Sequence, residues 1–248
     1  MTNLLLLIVS AFLAGGLNSI AGGGSFLTFP ALVYAGIPVV SANATSAVAV
    51  FPGYIGSTLG FRKELAALDP AQRRRLILLA LAGGLIGSLL LLVTSNQTFQ
   101  VIVPWLLLFA TLLFAAGDRL LAWSMARNLR LGGFLGVGVF FVTIYGGYFN
   151  GGLGIVLMAV FSVVGMRDIH VMNGMKNGIS LVLSAISVLV FAWAGLVRWP
   201  EALIMMAAAT LGGYLGARIA RKLSRKTVKT VIIVVGLLMS AVFFRNLL

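Results

Sequence analysis

Long apolar stretches separated by short polar connections make up most of the chain. A helix that crosses the hydrocarbon core of a bilayer needs about 20 predominantly apolar residues. Eight stretches approach that length: Leu4–Ile20, Asn43–Phe61, Leu76–Thr94, Phe99–Gly117, Leu131–Phe149, Asn177–Ala194, Ala202–Ala217 and Val228–Phe244. Two further stretches, Ser25–Ala35 and Gly154–Val164, are too short to span comfortably. Because the stretches lack the alternation of membrane strands, the pattern predicts an all-α polytopic membrane protein.

The composition supports this class and excludes others. Of the 248 residues, 60% are hydrophobic and 9% are charged, which is too few charges to cover the outside of a soluble globule of this size. The chain has no cysteine, which excludes a disulfide scaffold. It has one histidine and no His, Asp or Glu cluster with metal-ligand spacing. We therefore expect neither an enzyme nor a bound cofactor or metal.

Basic residues are concentrated in a few connections and predict the orientation of the chain. Arg62–Arg75, Asp118–Arg130 and Arg218–Lys229 together hold 14 of the 18 lysines and arginines. Ser95–Gln97 holds none, and Gly195–Glu201 holds one. By the positive-inside rule, the first three connections are predicted to be cytoplasmic and the other two to lie outside. The net charge of +13 is thus spread over short loops as an orientation signal, and we expect no nucleic-acid partner.

The chain resembles itself at a shift of 129 residues. With 30 glycines, about one or two glycine pairs would coincide by chance. Six pairs do: Gly22 with Gly151, Gly23 with Gly152, Gly36 with Gly165, Gly83 with Gly212, Gly84 with Gly213 and Gly87 with Gly216. The alternative is that glycine-rich membrane helices coincide easily. The clustering favours duplication, with a first repeat over 1–117, a cytoplasmic linker over 118–130 and a second repeat over 131–248.

Equivalent connections fall on opposite sides of the membrane in this topology. Arg62–Arg75 is predicted to be inside, whereas its counterpart, Gly195–Glu201, is predicted to be outside. The repeats are therefore predicted to be inverted, which is typical of secondary transporters with a site near the midplane. Inversion requires an odd number of crossings per half, so Leu4–Ala35 and Leu131–Val164 must each enter and return. Each either crosses twice, with a short second helix, or forms a re-entrant hairpin, and the sequence leaves both open.

Glycine-rich segments interrupt these two opening portions, at Gly15–Ser25 and Gly146–Gly154. Consecutive glycines disfavour a continuous helix, and irregular backbone at membrane depth survives only where it is buried in protein or lines a cavity. The short helix after each break would begin with exposed N–H groups and the positive end of its dipole, which attract an anion. The competing interpretation is close helix packing through small residues.

Polar residues open the helix that follows each short stretch, at Asn43–Ser46 and Asn173–Asn177. Lys176 begins an apolar run, and a lysine inside a membrane is costly and functional by default, with an ammonium that suits an oxyanion. Alternatively, its side chain snorkels to the cytoplasmic surface from the helix end. The predicted substrate-binding residues are Asn18, Gly22, Gly23, Gly24, Ser25, Asn43, Thr45, Ser46, Asn150, Gly151, Gly152, Lys176 and Asn177.

Coupling and oligomeric state stay open at this point. No Asp or Glu falls in any apolar stretch, which weakens a carboxylate proton relay but still allows sodium held by backbone carbonyls. The coupling ion is therefore either a proton or sodium, and a passive anion channel is the alternative to a coupled transporter. The glycine faces around Gly83 and Gly212 pack either within the chain or between chains, so a homodimer is a further expectation to test.

Two signatures taken together resemble a known family. They comprise Gly22–Ser25, Pro30, Gly36 and Asn43–Ser46 in the first half, and Gly147, Asn150–Gly154, Gly165 and Asn173–Asn177 in the second. These segments are similar, in order and over nearly the whole chain, to the sulfite exporter TauE/SafE family. The resemblance implies a duplicated architecture and a bacterial inner-membrane permease, expected to work as an exporter, for sulfite or an organosulfonate such as sulfoacetate.

The resemblance also implies where the small anion binds. Lys176 and Asn177 occupy a position where the family often has a Lys-Asn pair. The implied site lies at the midplane between the repeats, formed by half-helix N-termini and Lys176, with alternating access to the two sides. Gly24 corresponds to Leu153, so the two halves are not equivalent, and the substrate is expected to bind nearer Lys176.

Overall fold

The computed structural model describes residues 2–20, 23–126, 132–220 and 225–245, and within these residues the chain is helical apart from short turns. A 3-10 turn, Gly132–Phe134, precedes α7. Each of the ten apolar stretches coincides with one helix, which confirms the all-α architecture. The helices are α1 Thr2–Ile20, α2 Ser25–Tyr34, α3 Val39–Gly60, α4 Arg62–Ala66, α5 Pro70–Val93, α6 Asn96–Ala126, α7 Leu135–Tyr148, α8 Leu153–Val163, α9 Ile169–Trp193, α10 Trp199–Ala220 and α11 Arg225–Arg245.

Several helices have the length and surface of membrane spans. Within the described residues, α3, α5, α9 and the Asn96–Gly117 portion of α6 are long and apolar enough to cross a bilayer. α5 buries a glycine face and exposes apolar side chains on the other side. Its exposed leucines, at 38–55% exposure, are Leu78, Leu81, Leu85, Leu89 and Leu90. Such a stripe needs an apolar covering, which lipid provides, and the chain is a multi-pass membrane protein.

Polar connections are shorter in the structure than the sequence suggested. α6 continues past Gly117 to Ala126, because the residues beyond Gly117 include good helix formers and neither glycine nor proline. α5 begins at Pro70, ahead of its apolar stretch. Here the Asp69 carboxylate accepts a hydrogen bond from the Gln72 amide at 2.8 Å, which caps the helix. Part of each predicted cytoplasmic connection is therefore helical.

The start of α9 sets the depth of Lys176 in its helix. Asp168 caps the helix, because its Oδ1 accepts hydrogen bonds from the amides of His170 and Val171 at 2.8 and 3.1 Å. α9 therefore begins at Ile169, earlier than the apolar run. Lys176 lies about 10 Å along the axis from this start, two turns inside the helix.

Each opening portion contains a break followed by a half-length helix. α2 has 10 residues and α8 has 11. They rise about 15 and 16 Å, roughly half of the 30 Å hydrocarbon core. Both are shorter than a full span, as the sequence predicted, and the choice between a crossing by a short second helix and a re-entrant hairpin stays a prediction.

Both half-length helices end in the same turn. Gly36 follows α2 with φ 88°, and Gly165 follows α8 with φ 89°. After Gly36, the Ile37 amide donates to the Leu32 carbonyl at 3.1 Å, and the equivalent bond after α8 measures 3.0 Å. This is the hydrogen-bond pattern of a glycine-terminated helix. The coincidence of Gly36 with Gly165 in the sequence therefore reflects a shared local structure.

Helix contacts are repeated between the two halves. α1 packs against α10 and α7 against α5, while α2 packs against α11 and α8 against α6. α3 contacts α10 and α9 contacts α5, and the pairs α3–α9 and α6–α11 also pack together. The helices of the two halves correspond as α1 to α7, α2 to α8, α3 to α9, α5 to α10 and α6 to α11. If each helix is exchanged for its counterpart, the same set of contacts results. The contacts are compatible with two repeats related by a two-fold axis, and the inversion of the repeats across the membrane stays a prediction.

Glycine permits the closest of these helix contacts. A Cβ added to Gly15 on α1 would lie 1.9 Å from the Ala209 carbonyl oxygen, and one added to Gly212 on α10 would lie 1.8 Å from that of Phe12. In the other half, a Cβ at Gly87 would lie 2.1 Å from a carbonyl oxygen of α7. These glycine faces thus pack within the chain. The homodimer stays a prediction, and these faces give it no support.

Four phenylalanines hold α2 against the second break. Phe29 of α2 contacts Phe99, Phe149 and Phe243, with ring centroids 6.3, 5.7 and 5.5 Å apart. All four side chains are at most 4% exposed. The rings come from α2, α6, the segment between α7 and α8, and α11, and aromatic contacts of this kind add to the energy of burial. The first half-length helix is therefore fixed directly beside the break of the second half.

Candidate substrate site at the helix breaks

The first break is closed by a side-chain hydrogen bond. The Gly24 amide donates to Asn18 Oδ1 at 2.8 Å, so an N–H group freed by the break already has a partner. Gly23, Gly24 and Ser25 are buried. Gly22, which the sequence also placed in the site, lies outside the described residues. Asn18 therefore acts here as a cap for the broken backbone.

The second break is a buried left-handed turn. Gly152 has φ 73° and precedes α8 without a side-chain cap. A Cβ at this residue would lie 2.8 Å from Ala110 Cβ. The Tyr145 hydroxyl donates to the Gly151 carbonyl, and the Tyr54 hydroxyl donates to Asn150 Oδ1 at 3.4 Å. The predicted residues Asn150, Gly151 and Gly152 are thus adjacent and buried.

α3 connects the two breaks through its polar side chains. Asn43 Nδ2 donates to the carbonyl oxygen of Tyr148, the last residue of α7, at 2.9 Å. The hydroxyls of Ser46 and Thr28 are 2.6 Å apart and share a hydrogen bond, which joins α3 to α2. Asn43 and Ser46 are 3% and 1% exposed. The structure therefore brings these two predicted residues to the breaks, where both already have protein partners.

Asn43→Ala is expected to destabilise the fold, because it leaves the Tyr148 carbonyl without its partner in the interior. An unsatisfied buried polar group of this kind costs about 1–3 kcal/mol of unfolding free energy. Thermal unfolding in detergent micelles measures the change, with the exposed Asn3→Ala on α1 as control. A wild-type unfolding temperature for Asn43→Ala would show that the bond contributes nothing to stability.

Thr45 faces a different part of the molecule. Its hydroxyl oxygen accepts a hydrogen bond from the backbone amide of Arg198, between α9 and α10, at 3.0 Å. The side chain is fully buried. Thr45 is thus engaged with the connection between two helices of the second half, and it makes no hydrogen bond to the described residues of either glycine break.

Lys176 is the one charged side chain among the buried residues that the structure describes, at 7% exposure. Its Nζ donates to Asn173 Oδ1 at 3.1 Å. An ammonium group has three N–H donors, and no second acceptor or carboxylate pairs with it in the described part of the chain. A buried cation with a single neutral partner is energetically costly. An anion that supplied the missing charge and acceptors would relieve that cost.

The polar face of α9 extends well beyond Lys176. Asn177 is 6% exposed, and its amide makes no hydrogen bond to any described residue. Ser180, Ser184 and Ser187 are buried, and their Oγ atoms have no hydrogen-bond partner within the described ranges. Sequence reasoning missed these serines because small hydroxyl residues are common in membrane helices. Their spacing from Lys176, on one side of a helix, was the available signal.

A cavity of about 350 Å³ lies elsewhere, between the starts of α5 and α7. It is lined by Ala71, Gln72, Arg75, Leu76, Leu135 and Gly136. None of the predicted site residues contributes to it. The described residues also contain no group of three or more His, Cys, Asp or Glu side chains suited to a metal ion.

Half-length helices that follow glycine breaks, together with a buried charged side chain in a multi-pass helical protein, are typical of membrane transporters. The chain belongs to the sulfite exporter TauE/SafE family, whose model matches residues 7–243. This confirms the resemblance carried by the two glycine signatures.

Three curated relatives are similar over nearly the whole chain. A probable membrane transporter protein, ORF9, of Sinorhizobium sp. is 26% identical over 237 residues, covering 93% of this chain and 88% of its own. The probable membrane transporter protein YfcA of Escherichia coli K12 is 26% identical over 232 residues, covering 93% and 86%. A probable membrane transporter protein of Haemophilus influenzae is 26% identical over 248 residues, covering 96% and 93%. No solved structure matches the chain at a significant level.

Proposed function

We propose that this membrane transporter moves a small sulfur-containing oxyanion, such as sulfite or an organosulfonate, and that it is a secondary transporter of the bacterial inner membrane working as an exporter. The observation that carries the proposal is the buried Lys176, whose ammonium has one neutral hydrogen-bond partner among the described residues. The family name supports sulfite as the type of substrate.

The charge and geometry around Lys176 favour an oxyanion over a cation or a neutral solute. A sulfonate or sulfite group offers three oxygens, which can accept several hydrogen bonds and supply the missing negative charge. The uncapped N-terminus of α8 adds the positive end of a helix dipole at the second break. Asn177 adds a side-chain amide next to Lys176 that makes no hydrogen bond to the described residues.

The remaining residues of the proposed site have a supporting role. Asn18, Asn43 and Ser46 hold the breaks in shape through hydrogen bonds of 2.8, 2.9 and 2.6 Å. They would orient the anion only after exchanging those partners. We therefore assign the anion to the α9 side of the site. The two halves would rock around it to expose it to either side.

A passive anion channel is the second candidate, favoured by the absence of a carboxylate paired with Lys176 in the described part of the chain. Two carboxylates in the connections nevertheless have one buried oxygen with no described partner, in Glu64 on α4 and Glu201 on α10. α4 packs against α9, and α10 packs against α3. Proteoliposome uptake separates the candidates, since accumulation against a gradient, driven by protons or sodium, excludes a channel.

Ligand-induced stabilisation tests the substrate class directly. We expect sulfite or sulfoacetate to raise the unfolding temperature of the purified protein, because a ligand at 100 times its Kd adds about 2.7 kcal/mol. Taurine, whose ammonium group offsets its sulfonate, is the matched control and should stabilise less. Sulfate reports on oxyanion selectivity. If no sulfur oxyanion shifts the unfolding temperature, the proposal of a sulfur-oxyanion substrate is wrong.

A further inference from the structure

A single face of α9 carries four buried polar side chains in line. Lys176, Ser180, Ser184 and Ser187 follow one another at spacings of four, four and three residues, so they lie on the same side of the helix. The three serines are 1%, 1% and 3% exposed. The face extends about 16 Å along the helix axis, half the thickness of the hydrocarbon core. It runs from the buried ammonium towards the end of α9 that adjoins α10.

The serine hydroxyls on this face differ from several other buried helical hydroxyls, although Thr58 on α3 and Ser240 on α11 also lack a partner among the described residues. A helical serine or threonine commonly bonds to the carbonyl four residues earlier. Ser88 on α5 does so, donating to Gly84, and Thr111 on α6 donates to Leu107. The α9 serines make no such bond and have no other partner among the described residues. Buried polar groups without partners are rare in native proteins, and each calls for an explanation.

The equivalent face of α3 shows how the two halves differ. A shift of 130 residues places Asn43 opposite Asn173, Ser46 opposite Lys176 and Tyr54 opposite Ser184. On α3, Asn43 and Tyr54 bond to groups at the second break, and Ser46 bonds to Thr28 on the half-length helix α2. On α9, by contrast, the hydroxyl of Ser184 has no described partner. The two halves therefore share a polar face. On α9, unlike on α3, most polar side chains of this face have no hydrogen-bond partner among the described residues.

This face lies along the seam between the two hydrophobic cores of the molecule. Met175, Ile179 and Leu183 of α9 belong to the core formed with α5, α7 and α8. Val188 and Phe191 pack with the core formed mainly by α2, α3 and α6. By helical periodicity, the serines lie between these two sets of apolar residues around α9.

We propose that the α9 face formed by Lys176, Ser180, Ser184 and Ser187 is one wall of the passage through which the oxyanion leaves its site. The inference rests on the proposed function and extends it. Each hydroxyl donates a hydrogen bond to an oxygen of the moving anion in turn, and the single positive charge at Lys176 holds the anion at the start. Neutral donors suit a passage because they bind an anion weakly enough to release it.

Cysteine accessibility tests the passage, and the chain has no cysteine of its own. Ser180→Cys, Ser184→Cys and Ser187→Cys are treated in proteoliposomes with a methanethiosulfonate that carries a sulfonate group. Ser88→Cys is the matched control, since Ser88 is buried but bonded within its own helix. Because only a hydrated thiolate reacts, we expect the three α9 cysteines to react at least about tenfold faster than the control. Saturating sulfoacetate should slow that reaction at least about threefold.

The possible outcomes distinguish a failure of the proposed passage from a failure of the proposed function. Reaction no faster than at Ser88→Cys overturns the passage, and so does reaction that sulfoacetate does not slow. If sulfoacetate binding to the unmodified protein depends on Lys176 in these cases, the proposed function stands without the passage. A cysteine variant that does not fold is replaced by alanine at the same position. The proposed passage then predicts that Ser184→Ala or Ser187→Ala slows uptake of the anion and that Ser88→Ala does not. Equal uptake by these alanine variants contradicts the passage.

Discussion

Lys176→Met is expected to abolish high-affinity binding of the sulfur oxyanion while leaving the fold at least as stable as the wild type. Removing one partner of a buried, hydrogen-bonded charge pair costs about 2–5 kcal/mol of binding free energy, which is at least about a 30-fold rise in Kd. Methionine keeps the length of the side chain and removes the ammonium. In the unliganded protein that ammonium is buried with one neutral partner, so its loss relieves a desolvation cost.

Two measurements on the same purified variant check this expectation. Titration calorimetry or a ligand-induced thermal shift with sulfoacetate gives the affinity, and the unfolding temperature without ligand gives the stability. Lys63→Met is the matched control, because Lys63 is an exposed lysine on α4 and should change neither quantity. A folded Lys176→Met protein with wild-type affinity for sulfite and sulfoacetate would remove Lys176 from the site.

The second large effect is expected at the contact of α1 with α10. Gly212→Ala places a Cβ 1.8 Å from the Phe12 carbonyl oxygen, and the clash involves the backbone of both helices. A flexible side chain could move aside, but a helix backbone must shift as a whole. Overpacking of this kind costs about 1–3 kcal/mol and occasionally more. We expect a lower unfolding temperature or failure to fold.

Gly53→Ala on α3 is the matched control for this substitution. A Cβ at Gly53 would meet nothing within 4 Å, and both glycines lie inside helices. Replacing a glycine by alanine inside a helix without a clash stabilises it by about 0.5–1 kcal/mol. The two substitutions are thus expected to act in opposite directions. Equal unfolding temperatures would show that the α1–α10 contact tolerates a wider separation than the structure indicates.

The glycine pattern predicted more than one feature. Of the six coinciding pairs, Gly36 and Gly165 terminate the two half-length helices with φ near 90°. Gly83, Gly84, Gly87 and Gly212 instead occupy close helix contacts. Both interpretations drawn from the sequence, broken backbone and close packing, therefore apply, at different positions. The sequence could not assign them, since a glycine is compatible with either role until its neighbours are known.

The polar site residues show where sequence reasoning reached its limit. The sequence pointed to Lys176 because a cation at the edge of an apolar run is rare. Its side chain is buried because α9 begins at Ile169, which places Lys176 two turns inside the helix. Asn43 was also selected, but its role as a partner of the Tyr148 carbonyl depends on a contact between residues 105 apart in sequence. Thr45 was selected with it, and its hydroxyl accepts from the Arg198 amide, 153 residues away. The α9 serines were not among the substrate-binding residues predicted from the sequence.

By itself, the sequence determined that this chain is a multi-pass helical membrane protein of the TauE/SafE type, where its helices are broken, and which lysine enters an apolar segment. These features follow from hydropathy, glycine and charge, which act over a few residues. Only the tertiary structure decided which polar groups are already paired. A hydrogen bond between helices depends on how two distant segments approach each other. That approach paired Asn43, Ser46 and Tyr54 of α3, while the serine hydroxyls along α9 have no partner among the described residues.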